Sequence, residues 1–321
     1  MNIITKLLCS VACLAATSAS AKDLEVTHWW TSGGEAAAVS TLAKAFNEKT
    51  DHNWVDGAIA GGGGTSIPAI ISRIIGGEPM GATQLNHGRQ AQELIEAGLM
   101  TDLTDIAEAQ GWRDIVNPVS LLDSCTVDGR VYCVPVNIHS AQWLWVSHGA
   151  FEKAGLAIPT NWDEFVAGSA ELEKNGIVPL AMGQQGWQQS IAFGALVLGV
   201  VGVDKFLEVT GNKNADVAAG PEWTRAFKSV ANARELARKS KVQDWNLATN
   251  MVITDTAGGQ IMGDWAQGEF QVAGEVAGVD YSCLPGMGFN EILDTGGDAF
   301  YFPVIDDADT KAAQMELASL L

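Results

Sequence analysis

The sequence predicts an α/β protein built as two lobes, and three observations carry that reading. Strand-like and helix-like segments alternate along the chain, the pattern of parallel sheets with helices on both faces. Once a leader is removed, ~300 residues remain, which is long for one core and suited to two. Four strand-to-helix junctions carry Trp, amides or carboxylates, and in open α/β sheets ligands collect at the carboxyl ends of strands. Such junctions, far apart in sequence, can face one another across a cleft between lobes.

The elements follow in order. Residues 1–21 read as a cleaved signal peptide: Lys6 precedes the apolar run Leu7 to Ala16, and Ala19-Ser20-Ala21 gives the small-x-small cleavage pattern. The alternative is a lipid-acceptor Cys13, although Ser10 stands where such sites usually carry Leu. No later stretch is expected to span a membrane. Leu24–Trp30 is expected to be a strand and Ala36–Asn47 a helix, joined by Thr-Ser-Gly-Gly. Trp29 and Trp30 are neighbours, so on a strand they point to opposite faces and one layer cannot bury both. A second strand near Trp54–Ala60 leads through four glycines to a helix over Ile67–Ile75. "GRQAQELIEAGLM" reads as an amphipathic helix. "CTVDGRVYC" reads as a hairpin around Asp128-Gly129, which brings Cys125 and Cys133 within bonding distance. A strand, a polar step at "VNIHS", a second strand and a helix follow. "NWDEFVAGSAELEKNG" is a helix with Thr160 or Asn161 as cap and Gly176 as stop. "GIVPLAMG" is a strand and "QQSIAFGALVLGVVG" an apolar helix between layers. "GGQIMGDWAQGEFQVAGEVAG" repeats the strand-turn-helix design of the opening stretch, and "KAAQMELASLL" is a terminal amphipathic helix.

The charge balance narrows the partners. The chain carries 19 Lys+Arg against 38 Asp+Glu, a net charge of −19. Nucleic acid and anionic lipid need cationic side chains to neutralise their phosphates, so both are excluded as partners. The glycine loop has no following Lys to reach a phosphate, the His residues show no metal-ligand spacing, and no nucleophile motif is present. No cofactor is expected. The eleven Trp against three Tyr are unusual. Indole faces beside carboxylates and amides suit a pyranose, whose C–H face stacks on the ring while its hydroxyls need partners once dry. Trp29, Trp30, Glu35, Trp187, Asp264 and Trp265 fit that description. The competing structural reading has Glu35 complementing a helix N-terminus and Asp264 capping one. A glycoside-acting enzyme using Glu35 and Asp264 as its two carboxylates is the alternative chemistry.

The motifs "HWWTSGGE", "AGGGG", "VPVNIH..WLW", "GWQ.S..F.ALVLGVVG" and "IMGDWA..EF" together resemble periplasmic solute-binding proteins of sugar ABC transporters, most like the glucose/mannose-binding group. The resemblance runs from Leu24 to the end of the chain. It implies the type II, maltose-binding-protein-like fold: two α/β lobes, a hinge crossed three times, and a cleft that closes on the sugar. It divides the chain into residues 22–135 (first part of lobe 1), 136–280 (lobe 2) and 281–321 (return to lobe 1). It also implies further helices after residue 321 and a later partner for Cys283. Its site residues fall on Trp29, Trp30, Glu35, Gly62 and Gly63 of the glycine loop, His139 of the hinge strand, and Asp264 with Trp265. Trp187 and Gln188 stand in the family's "PWQD", whose acid is lost here, and His87 is nearest to a family sugar-contacting Lys. The implied role is capture of a monosaccharide, glucose or a related aldohexose, by a periplasmic monomer that delivers it to a membrane permease powered by an ATPase. Service to a chemoreceptor is the variant of that role, and no reaction is catalysed.

Overall fold

The computed structural model describes residues 21–321. The expected signal peptide, apart from Ala21, and the alternative lipid site at Cys13 lie outside the described residues.

Strand β1 (Asp23–His28) buries Leu24 and Val26 completely. Helix α1 (Gly33–Lys49) follows a capping box in which Ser32 and Glu35 satisfy each other's backbone N–H groups. It buries Val39 and Phe46, each apolar side chain contributing about 1.5–3 kcal/mol. Next come β2 (Asn53–Ala58), α2 (Gly63–Ile75) and β3 (Ala82–Asn86). The amphipathic helix expected around residue 92 is only Gln92–Glu96 after a 3₁₀ turn, ended before Gly98 at φ +72°. The hairpin turns at Asp128 and Gly129, both at positive φ, and Cys125 is disulfide-bonded to Cys133. Strand β4 (Cys133–Pro135) then leads to β5 (His139–Ser140) and out of the first lobe.

The second lobe is built from β6 (Trp143–Ser147), α3 (Trp162–Lys174), β7 (Val178–Ala181), α4 (Gly186–Thr210), α5 (Pro221–Leu236), α6 (Trp245–Ile253), β8 (Ala257–Met262), α7 (Ala266–Ala273) and β9 (Tyr281–Pro285). Asn161 caps α3 through Glu164 N–H, and Gly176 at φ +75° follows its end. The chain returns through β10 (Thr295–Gly296) to β11 (Asp298–Tyr301) and ends in α8 (Ala308–Leu320). The first sheet has the order β2-β1-β3-β11-β4 and the second β9-β6-β8-β7. Each sheet lies against its own buried apolar clusters.

Three expectations need correction. The sheets are mixed rather than parallel. β1 runs parallel to β2 and β3, but β11 is antiparallel to both β3 and β4. In the second sheet β8 is parallel to β7 and antiparallel to β6, which is antiparallel to β9. The return to the first lobe does not begin at residue 281. Tyr281–Pro285 pairs residue for residue with Ser147–Trp143 inside the second sheet, and the crossing comes at 295–298. Lastly, α4 is long and apolar enough to cross a membrane, with mean hydropathy 1.8. Gly202, at φ 75° and ψ 167°, breaks it. The stretch before the break is about 24 Å long, shorter than the ~30 Å hydrocarbon layer. It buries Ala195, Leu196 and Val197 and packs on α5 and β8.

Between the lobes, β5 and β10 pair antiparallel, Ser140 opposite Thr295 and His139 opposite Gly296. Among the described residues the chain therefore crosses the hinge twice, side by side, where the resemblance implies three crossings.

Candidate interlobe binding site

A cavity of about 630 Å³ lies between the lobes, within the usual range for small-molecule sites. The first lobe contributes the end of β1, the start of α1 and the glycine loop before α2. The second contributes the junctions at Trp187 and Trp265, and the hinge supplies Asn137 and His139.

β1 stops at His28, short of the expected Trp30, and Trp29 and Trp30 follow it with different burial. Trp30 is buried, edge-on to Phe300 with centroids 5.8 Å apart, and also lines the cavity. Trp29 is half-buried, and its backbone N–H donates to Gln84 Oε1 at 2.9 Å. Across the cleft, Trp187 and Trp265 have ring centroids 6.2 Å apart, and Trp187 Nε1 donates to Gln185 Oε1 at 2.8 Å. Gly62 caps α2 at φ 68° without a side chain, and a Cβ there would come within 3.5 Å of Trp187 Nε1. Glycine thus lets the α2 N-terminus, with Gly63 and Gly64, sit on the cavity wall.

Glu35 has the structural role and faces the cavity as well. Its Oε2 accepts from Thr31 and Ser32 N–H at 3.2 Å each. Burial pushes its pKa up to about 7 against those hydrogen bonds, and the nearby Asp298 carboxylate adds to the rise.

His139 sits between two carboxylates. Its Nδ1 donates to Asp264 Oδ1 at 3.0 Å and its Nε2 to Asp298 Oδ2 at 2.9 Å. Burial opposes the charged ring, yet its hydrogen bonds to Asp264 and Asp298 and their negative charges outweigh it and raise the pKa to about 9. Asp298 is 4% exposed. Burial works against its charge, but His139 and the Asn137 amide (3.0 Å) hold its pKa below the usual range. Asp298 and Asn137 both line the cavity.

Three expected contacts are not on the cavity wall. Asp264 turns its carboxylate to His139 and to Ser140 N–H (3.1 Å), so it neither caps α7 nor faces Glu35. Gln188 lies about 100° round the helix from Trp187 and is fully buried. It receives Gly183 N–H at 3.0 Å and donates to Gln243 O and Gln185 Oε1. His87 stands behind the wall with Nε2 unpartnered, 2.7 Å from where a Cβ on Gly297 would lie. Burial lowers its pKa, Asp298 opposes that and His139 reinforces it. Asn137, of the expected "VNIHS" junction, lines the cavity, and Asp298, Asn86 and Trp245 line it without having been expected there. The only local signal for Asp298 was an acid between Gly-Gly and an aromatic strand.

Two mixed sheets joined by a paired hinge, with an aromatic and acidic cavity between them, define a two-lobed solute-binding protein of the maltose-binding-protein-like fold. The chain belongs to the bacterial extracellular solute-binding protein family, which it matches over residues 30–301. It is 36% identical over 311 residues to a "Probable sugar-binding periplasmic protein" of Rhizobium meliloti (strain 1021), covering 96% of this chain and 74% of that one. It is 35% identical over 302 residues to a protein of the same description from Brucella melitensis, covering 94% and 70%. In fold it is similar to the GacH receptor of Streptomyces glaucescens, solved free and with acarbose. There the TM-score is 0.66 at 18% identity, over 93% of this chain and 76% of that one. The family is one of binding proteins, so the two-carboxylate enzyme reading is set aside.

Proposed function

We propose that this chain captures a monosaccharide, glucose or a related aldohexose, in the periplasm and presents it, lobes closed, to the permease of an ABC transporter. The observation that supports this most is the cavity itself. Trp29, Trp187 and Trp265 offer indole surface for a sugar ring, and Glu35 and Asp298 add carboxylates that accept hydrogen bonds from hydroxyls. Asp264 and His139 act as positioning residues, holding Asp298 and the hinge strand. The relatives described as sugar-binding periplasmic proteins support the class of ligand. A glucose-binding protein of Saccharolobus solfataricus, 27% identical over 50% of this chain, supports the hexose. Only stronger binding to the closed form can drive closure, so the sugar has to touch both lobes. Micromolar affinity, about −8 kcal/mol, suits capture and release.

The test is a tryptophan-fluorescence titration with glucose, mannose, galactose, xylose and maltose. A saturable micromolar response to one hexose is expected. Silence with every monosaccharide, or saturation by maltose alone, overturns the assignment.

A further inference from the structure

The two lobes also touch at a second place, beyond the paired hinge strands. Gly34 N–H, in the first turn of α1, donates to Glu269 Oε1 of α7 at 2.7 Å. The start of an α-helix leaves N–H groups without intrahelical partners. Here Ser32 Oγ takes Glu35 N–H, Ser32 O takes Ala36 N–H, and Gly34 N–H goes to the opposite lobe. Backbone also meets backbone at this point. A Cβ on Gly34 would lie 2.7 Å from the Gly268 carbonyl carbon and 2.8 Å from its Cα, and a Cβ on Gly268 would lie 3.2 Å from Gly34 Cα. Neither glycine has a positive φ, so neither is required by its own turn. What they permit is the contact. Among the described residues, the other side-chain hydrogen bond across the cleft walls, Gln185 Nε2 to Gly61 O, is a weak 3.4 Å.

We infer that Glu269 is an interlobe latch: its carboxylate caps α1 from the opposite lobe only when the cleft is shut, and the Gly34–Gly268 contact lets the two helices approach far enough for it to do so. The inference rests on the binding-protein reading above and adds the residue that governs how long the closed form lasts. A negative group is favoured at a helix N-terminus, and the bond exists only in the closed state, so it shifts the opening equilibrium and slows ligand release. Glu269 is a positioning residue, with no role in choosing the sugar.

The test compares Glu269→Ala, Glu269→Gln and Gly34→Ala with the parent chain in two measurements. Stopped-flow fluorescence reads sugar association and release, and small-angle X-ray scattering reads lobe separation with and without sugar. Glu269→Ala should speed release roughly tenfold or more at nearly unchanged association, as loss of one charge-assisted hydrogen bond implies. Glu269→Gln, which still offers an acceptor, should fall between. Gly34→Ala favours the helix locally yet should leave the sugar-bound form more open. Release within twofold of the parent in Glu269→Ala overturns the latch. If no sugar binds, the proposed ligand falls, and the ligand-free scattering decides the latch alone. A more open Glu269→Ala supports it, and identical profiles overturn it.

Discussion

Glu35 has two roles that substitution can separate. Glutamine still serves a capping box, so Glu35→Gln should keep the fold and weaken sugar binding. Exchanging a charged hydrogen bond, about 1.5–3 kcal/mol, for a neutral one, about 0.5–1.5 kcal/mol, predicts a drop of roughly 5- to 10-fold in a fluorescence titration. Glu35→Ala should add about 1 kcal/mol of lost stability from the cap, read by urea denaturation. pH separates the acid from the histidine. Glu35 has its folded pKa raised from 4.5 to about 7, so its contribution to stability is present below pH 4.5 and lost as pH rises to 7. His139 is raised from 6.5 to about 9, so its contribution is complete below pH 6.5 and lost as pH rises through 9. Each window is worth about 3 kcal/mol. Denaturation midpoints from about pH 8 to 9, beyond the Glu35 window, should fall in the parent and stay nearly flat in His139→Gln. A parallel fall in both would show that the carboxylate clamp is not the cause. At this scale the sequence was informative where a junction carried its own chemistry. Trp29, Glu35, Trp187 and Trp265 stand at strand ends beside glycines, and all four reach the cavity. Asp298 was not legible, because it reaches the cavity only through the pairing of its strand with β3, opposite Asn86. Asp264 and Gln188 were placed near the site by position, while the direction of each side chain was set by partners distant in sequence, Ser140 and Gln243.

Elements were easier to read than their pairing. Periodicity and caps located α1, α3 and α7, since hydrophobic spacing and Asn161 or Gly176 are local features. Strand direction is not local. The same apolar run can pair either way, and β11 between β3 and β4 shows how a return segment inverts one neighbour of an otherwise parallel sheet. The break in α4 was also hidden, because a glycine within an apolar helix is tolerated until packing demands positive φ. Gly202→Ala should therefore cost about 1 kcal/mol or more, a left-handed conformation being unfavourable for alanine. Equal denaturation midpoints would mean the helix straightens without penalty. The hairpin allows a second test at this scale. Its bond closes a short loop, with a sequence separation of 8. Loop entropy then gives about 2–3 kcal/mol, so Cys125→Ser with Cys133→Ser should lower first-lobe stability by up to that amount.

The whole molecule can be tested for where the ligand acts. Each lobe has its own core, and the described residues join the lobes through two paired hinge strands and the cleft contacts. Without ligand, two such lobes have no reason to unfold as one unit, so calorimetry should show two overlapping transitions. A sugar held by Trp29 and Glu35 on one side and Trp187 and Trp265 on the other makes each lobe's unfolding cost the ligand its second wall. At a concentration 100 times Kd, it adds about 2.7 kcal/mol, which corresponds to about 4 °C for a chain of this size. The two transitions should then merge and move upward together. A ligand seated on one lobe would instead raise one transition and leave the other where it was. Merging therefore reads the interlobe placement directly, independently of which sugar is used. It also distinguishes the wall residues from the latch. Trp187→Ala should reduce both the shift and the merging by weakening the sugar's hold, whereas Glu269→Ala should leave a bound sugar's contacts intact and reduce the merging more than the shift.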